Sequence, residues 1–288
     1  MDYKVMNENL QQPMLVNDWL ASATAELKSV EIASAGLDAE IILAHTMKES
    51  RTHLHAHGDE ILDARTEEIA NARLALRMDH VPIAYIIGHK EFYGRRFKVT
   101  TATLIPRPES ETLIDVLKEV LPKNHALFVD QKLRVVDVGA GSGILGITAK
   151  LEDPEIEVTL VDVSLPALRA AETNAELLGA KIQILKSDLL TSYPFTPDII
   201  IANLPYVDVS WERSLETDKE PEIALFAADS GMALIKKLLV QASSLLASDG
   251  IVILEADPEQ HSALIAYAEA LRFKLHEKRD YCLCFIYG

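Results

Sequence analysis

The stretch RVVDVGAGSG, Arg134 to Gly143, reads as a short apolar strand running straight into a glycine turn. Three valines suit a buried strand. Gly139, Gly141 and Gly143 let the backbone turn tightly and let a ligand approach the N-terminus of a following helix. Downstream the same texture repeats, with apolar runs EVTLVDV (157–163), IQIL (182–185), DIIIAN (198–203), IVILEA (251–256) and YCLCFIY (281–287). Helical patterns separate most of them, including one near Leu234 to Leu246 and one from Gln260. Strand–helix alternation predicts an open, mostly parallel sheet with helices on both faces.

Upstream the pattern is different. Leu15, Trp19, Leu20, Ala23 and Leu27 recur at helical spacing. Asp38 is placed to cap a second helix carrying Ile41, Ile42 and His45, and Ser50 a short third one. A fourth helix is expected from about Thr66 to Met78, with Ile69, Ala72 and Leu76 on its apolar face. His53, His55 and His57 alternate, but converging acids or thiols for a metal are not evident, and an exposed interhelical segment accounts for them. EFYGRRFKVT then reads as a hairpin broken at Gly94, and two prolines bracketing Arg107 forbid regular helix until Glu109. The expected organisation is a small all-α domain over 1–88, a hairpin and linker over 89–108, and an α/β domain over 109–288.

Composition narrows the classes. The 288 residues are 49% hydrophobic and 25% charged, an ordinary globular balance that excludes a largely disordered chain. No apolar run is long enough to span a bilayer, and the first residues carry charge and amides where a secretory core would sit, so a cytoplasmic protein is expected. The net charge of −16 works against broad nucleic-acid binding. Arg95, Arg96, Lys98 and Arg107 form a basic cluster that is either a solvated hairpin edge or a docking surface. Cys282 and Cys284 read as buried thiols, since a bridge between them would strain disulfide geometry.

The chemistry lies at the strand ends. The glycine spacing is G-x-G-x-G, and Ile144 stands where a dinucleotide turn needs its third glycine. Asp162 ends the second strand, where a carboxylate can accept hydrogen bonds from ribose hydroxyls. Asp188 and Leu189 end the third, an acid for an adenine amino group and an apolar side chain for its ring. The fourth strand runs into Asn203-Leu204-Pro205-Tyr206. That segment resembles a signature for methylating a planar amide or amino nitrogen, a poor nucleophile because its lone pair is delocalised. The Asn203 side-chain carbonyl and the Leu204 backbone carbonyl can accept its two N–H bonds, aim the lone pair and stabilise the charge growing on nitrogen. Pro205 stiffens the turn, and the Tyr206 ring can pack on the acceptor's flat face.

The glycine turn resembles motif I of class I methyltransferases, and Asn203 to Tyr206 resembles the Asn-Pro-Pro-Tyr signature of enzymes that methylate planar nitrogens. PIAYIIGHKEFYGRRFKVTTATLIPRPESE (82–111), Glu220-Pro221, Ala224-Leu225, Ala228 to Gly231, and Glu255 with Gln260 extend the likeness over nearly the whole chain. The chain is similar to the release-factor glutamine methyltransferase family (PrmC, also called HemK). That resemblance implies a class I S-adenosylmethionine methyltransferase fold, Rossmann-like with a mostly parallel seven-stranded sheet, and a helical N-terminal domain that recognises the substrate. It implies methyl transfer from S-adenosyl-L-methionine to the side-chain amide (N5) of the glutamine in the Gly-Gly-Gln motif of peptide chain release factors, with S-adenosyl-L-homocysteine as product. Gly139, Ala140, Gly141, Ser142, Gly143, Asp162, Asp188, Leu189 and Asn203 would bind the cofactor. Asn203, Leu204, Pro205, Tyr206 and Arg107 would meet the substrate. No metal, membrane or stable nucleic-acid partner is expected, and a monomer is. Two positions depart from the family pattern: Leu204 replaces a proline, and the last strand lacks the usual arginine. The alternatives are an adenine-N6 methyltransferase acting on rRNA or DNA, which shares the acceptor geometry, and a non-catalytic scaffold that binds a partner.

Overall fold

The computed structural model describes residues 13–121 and 132–288. It divides into two compact units, one ending at Ile87 and the other running from Gly88 to Gly288. No helix among the described residues is long and apolar enough to cross a membrane.

The first unit is helical: α1 (Val16–Ser29), α2 (Ala35–Met47), α3 (Arg51–Ala56), α4 (Ala64–Met78) and α5 (Ile83–Ile87). Its core gathers Trp19, Leu27, Ile42, Leu43, Leu54 and Leu74. Ser50 caps α3 by accepting from the His53 amide, and Asp63 caps α4 by accepting from Arg65 and Thr66. Three sequence expectations give way here. Asp38 is not a cap; it lies inside α2, buried, and accepts from the Arg77 guanidinium at 2.7 Å and the Ser34 hydroxyl at 2.8 Å. The buried face of α4 is Ala70, Leu74 and Arg77, whereas Ile69, Ala72 and Leu76 face solvent. The apolar residues of this helix fall on two faces, and the buried ion pair selects the one that carries Arg77. His53 and His55 belong to α3 rather than to an irregular segment, and they face Glu60 and Glu40 at 3.0 and 3.3 Å.

The second unit opens with an antiparallel hairpin, β1 (His89–Phe92) and β2 (Arg95–Lys98). Tyr93 and Gly94 both take positive φ at its tip, as a two-residue turn that follows strand twist requires. Of the basic cluster, Arg95 pairs with Glu152 at 2.6 Å. After the two prolines a single 3-10 turn, Pro108–Ser110, leads into α6 (Glu111–Val120).

The α/β alternation follows: β3 (Arg134–Val138), α7 (Ile144–Glu152), β4 (Glu157–Asp162), α8 (Leu165–Leu178), β5 (Gln183–Lys186), β6 (Ile199–Ala202), α9 (Ala233–Leu245), β7 (Ile251–Glu255), α10 (His261–Ala270), β8 (Phe273–Arg279) and β9 (Cys282–Tyr287). The sheet order is β5-β4-β3-β6-β7-β9-β8, parallel up to β7 and antiparallel at β9 and β8. Every residue of β6 is buried, as expected of a central strand covered on both faces. Cys282 and Cys284 face one core and Leu283 and Phe285 the other, and both thiols are free. The strand β8 escapes the sequence pattern because only its first residue, Phe273, is buried and the rest is an edge rich in charge. Strand order reverses beside β3, where the chain goes one way to β4 and the other to β6. The carboxyl ends of these strands therefore open a crevice at the place where open α/β sheets bind ligands.

Candidate active site

The turn after β3 is held open by its glycines. Gly139, Gly141 and Gly143 all have φ between +57° and +81°, a region side chains other than glycine's rarely adopt. A Cβ on Gly139 would also fall 2.6 Å from Cδ2 of Leu204. The Gly139 and Ala140 amides donate to the Val161 carbonyl at 2.8 and 3.0 Å, pinning the turn against β4. Asp162 closes it from the next strand end: Oδ2 accepts from the Gly141 amide at 2.9 Å, and Oδ1 from the Ser164 amide at 2.8 Å.

A cavity of about 230 Å³ lies over this turn. Gly139, Gly141, Asp162, Asp188, Leu189, Asn203 and Leu204 line it, so residues expected from four strand ends meet at one place. Asp188 reaches Lys237 at 2.5 Å, and Leu189 takes positive φ. Ala140 and Ser142 line a separate recess of about 40 Å³ with Arg107 and Asp137. Gly143 lines neither space. Its missing Cβ makes room for Ile147, Ala171 and Leu160, so its glycine serves helix packing.

The segment after β6 walls the cavity on one side and borders a second space on the other. Asn203, Leu204 and Pro205 line both the first cavity and a neighbouring one of about 310 Å³, which Arg107, Tyr206, Trp211 and Glu255 also border. The Leu204 side chain is buried against the glycine turn. Among the described residues, the Leu204 amide donates to no protein group. Arg107 is held by Glu220, which also accepts from the Ile105 amide at 3.0 Å.

Three further residues belong to this site. Glu255, at the end of β7 and 1% exposed, accepts from the Ser110 hydroxyl at 2.6 Å, the Asn203 Nδ2 at 3.0 Å and the Tyr206 hydroxyl at 2.9 Å. Burial raises its carboxyl above the ordinary range, and burial together with the nearby carboxylate raises the Tyr206 phenol. Ser110 also accepts from Asn203 Nδ2 at 2.9 Å. Gln260 donates to the Tyr206 and Ser230 carbonyls at 2.8 and 2.7 Å, tying down both ends of the loop between them. The sequence signals Glu255 as an acid closing the otherwise apolar run IVIL, and Glu255 and Gln260 also stand in the family likeness. Nothing local in the sequence marks Ser110. Asp137, in β3, is another buried acid. Its Oδ2 accepts from the Gly146 amide at 2.8 Å, its Oδ1 has no partner among the described residues, and burial pushes the carboxyl up to about 7.

The sheet order, the glycine turn and the cavity at the strand switch define a class I methyltransferase fold. Solved structures agree with the fold: a methyltransferase from Pyrococcus furiosus superposes with TM-score 0.52 at 18% identity, covering 76% of this chain and 98% of that one. Residues 18–88 match the PrmC N-terminal domain model, and residues 110–217 the methyltransferase small domain model. The release factor glutamine methyltransferase of Koribacter versatilis is 35% identical over 249 residues, covering 82% of this chain and 86% of its own. That of Escherichia coli (strain K12) is 35% identical over 253 residues, 85% of this chain and 87% of its own. That of Bacillus anthracis is 34% identical over 222 residues, 75% and 77%. The chain belongs to the release factor glutamine methyltransferase family.

Proposed function

We propose that this enzyme transfers a methyl group from S-adenosyl-L-methionine to the side-chain amide nitrogen of the glutamine in a release factor's Gly-Gly-Gln motif, leaving S-adenosyl-L-homocysteine. The observation that carries the reading is the shared wall: Asn203, Leu204 and Pro205 border both cavities. A methyl donor on the glycine-turn side and a planar amide on the other would meet across Asn203.

The residues fit that division. The glycine turn brings bare backbone to the cavity, Asp162 keeps carboxylate lone pairs for ribose hydroxyls, and Leu189 offers an apolar wall beside Asp188 for an adenine. The bound donor supplies a methyl on a sulfonium: an N–C bond forms as the S–C bond breaks, and the nitrogen's surplus proton passes to solvent. Asn203 Oδ1 and the Leu204 carbonyl accept the two amide hydrogens, which turns the nitrogen lone pair toward the methyl and favours the charge that develops there. Tyr206, with its hydroxyl fixed on Glu255, presents its ring to the flat acceptor. Arg107, steadied by Glu220, borders the acceptor cavity and contacts the substrate chain. The helical domain, residues 1–88, recognises the release factor, the 89–108 segment links it to the catalytic domain, and the protein acts as a monomer in the cytoplasm.

The test offers purified enzyme and methyl-labelled S-adenosylmethionine to unmodified release factor, ribosomal RNA and DNA in parallel. Label on the release factor alone is expected. Label on adenine with none on protein overturns the reading.

A further inference from the structure

We propose that Glu255 is a positioning residue that fixes which way round the Asn203 amide stands, directly and through Ser110. The proposal rests on the reading of Asn203 as acceptor for the substrate amide, and it deepens that reading.

The argument is one of counting hydrogens. Ser110 has a single hydroxyl proton, and its 2.6 Å contact with Glu255 Oε2 commits that proton to the carboxylate. Toward Asn203 the Ser110 oxygen can therefore only accept. Glu255 faces three donors at once, and as a carboxylate it too can only accept. Both groups that face Asn203 from β7 and from the turn before α6 thus demand donors, and the only donors on an asparagine amide are the two hydrogens of Nδ2. With the amide reversed, Oδ1 would face two oxygens and lose both bonds, one of them to a charged group and so roughly twice as strong as a neutral one. The amide is planar, so a fixed Nδ2 turns Oδ1 the opposite way. Among the described residues no donor is bonded to Oδ1, which leaves it as the acceptor for an incoming N–H.

The surroundings suit a lock rather than an ion pair. Glu255 is buried, and no described cation bonds it; its partners are three neutral donors on two different segments, the turn before α6 and the acceptor motif after β6. The same carboxylate holds the Tyr206 hydroxyl through its other oxygen. One side chain on β7 therefore orients two side chains of the acceptor motif after β6. A carboxylate at 255 suits this role because both of its oxygens accept and neither carries a hydrogen, which leaves Asn203 a single choice.

The test reads the lock with and without turnover. In nitrogen-labelled protein, the Asn203 side-chain amide protons, assigned by their loss in Asn203→Ala, exchange slowly with solvent. In Glu255→Leu they exchange fast, and in Ser110→Ala at an intermediate rate, which keeps the test open should Glu255→Leu not fold. With release factor as substrate, Glu255→Leu lowers kcat by about a hundredfold or more, as for a lost preorganised polar partner, with donor affinity within about twofold of wild type. Glu255→Gln can keep its oxygen toward Asn203 by turning its own NH2 to Tyr206, and it loses no more than about tenfold. In an Asn203→Ala background, Glu255→Leu costs no more than about tenfold, because the part of its effect that passes through Asn203 is already lost and only its hold on Tyr206 remains. Multiplying losses in that double variant, or a wild-type Asn203 amide that exchanges as fast as in Glu255→Leu, overturns the proposal. A wild-type enzyme that methylates no release factor, yet protects this amide only when Glu255 is present, refutes the substrate and upholds the lock.

Discussion

In the helical unit the buried carboxylate of Asp38 faces a guanidinium, Arg77, itself 2% exposed. In the second unit Glu255 is as deeply buried but meets only hydroxyls and an amide, and Asp137 meets one backbone amide with its other oxygen unpartnered. The first arrangement cancels charge in place and joins α2 to α4; it holds structure together. The second leaves each acid without a counter-ion, among neutral donors, at the cost of desolvation that raises both carboxyls. Buried acids of equal exposure thus serve a scaffold in one unit and a site in the other, and the chemistry of the partner separates them.

The contrast is tested most forcefully at Arg77. Arg77→Leu strands a buried carboxylate and should lower the stability of the helical unit by about 3–5 kcal/mol, whereas adding Asp38→Leu should recover most of that loss. Denaturant unfolding of the two variants decides it, and equal losses in both would break the comparison. Asp162, whose partners are backbone amides at the cavity, should behave as a site acid. Asp162→Ala is expected to weaken S-adenosylmethionine binding by about 1.5–3 kcal/mol. Unchanged affinity by calorimetry would move the ribose site elsewhere.

A pH-dependent effect separates Asp137. Its carboxyl stands at about 7 in the folded protein against an ordinary value of 3.8. Within that window the folded protein holds a proton that the unfolded chain has lost, so stability falls as pH rises through it and levels off above. Asp137→Asn should lack this slope, and parallel pH–stability curves for the two proteins would contradict the assignment. The least change is expected at Leu204. Proline there removes an amide hydrogen that bonds no described group, so activity on release factor should stay within about threefold, below ~1 kcal/mol. Because the leucine side chain is buried over Gly139, part of the penalty should appear in thermal stability instead.

The comparison also shows where sequence reading succeeds. The glycine turn, Asp162 and the Asn203 segment were legible because each ends a strand, and successive strand ends of a parallel sheet converge by topology. The role of Asp38 was not, because its partner lies 39 positions away on another helix, and the same pair decides which face of α4 is buried. Ser110 and Glu255 stand 145 positions apart, and only the folded sheet places the turn before α6 beside the end of β7. Periodicity reports which residues share a face. It is silent on which distant polar group that face must satisfy.

The central claim is most directly tested by mass spectrometry of unmodified release factor after incubation with the enzyme and S-adenosylmethionine. The account predicts a single added methyl, located on the side-chain amide nitrogen of the Gly-Gly-Gln glutamine and absent with Asn203→Ala. A methyl on any other residue, or none on protein while adenine in ribosomal RNA or DNA is modified, would contradict it.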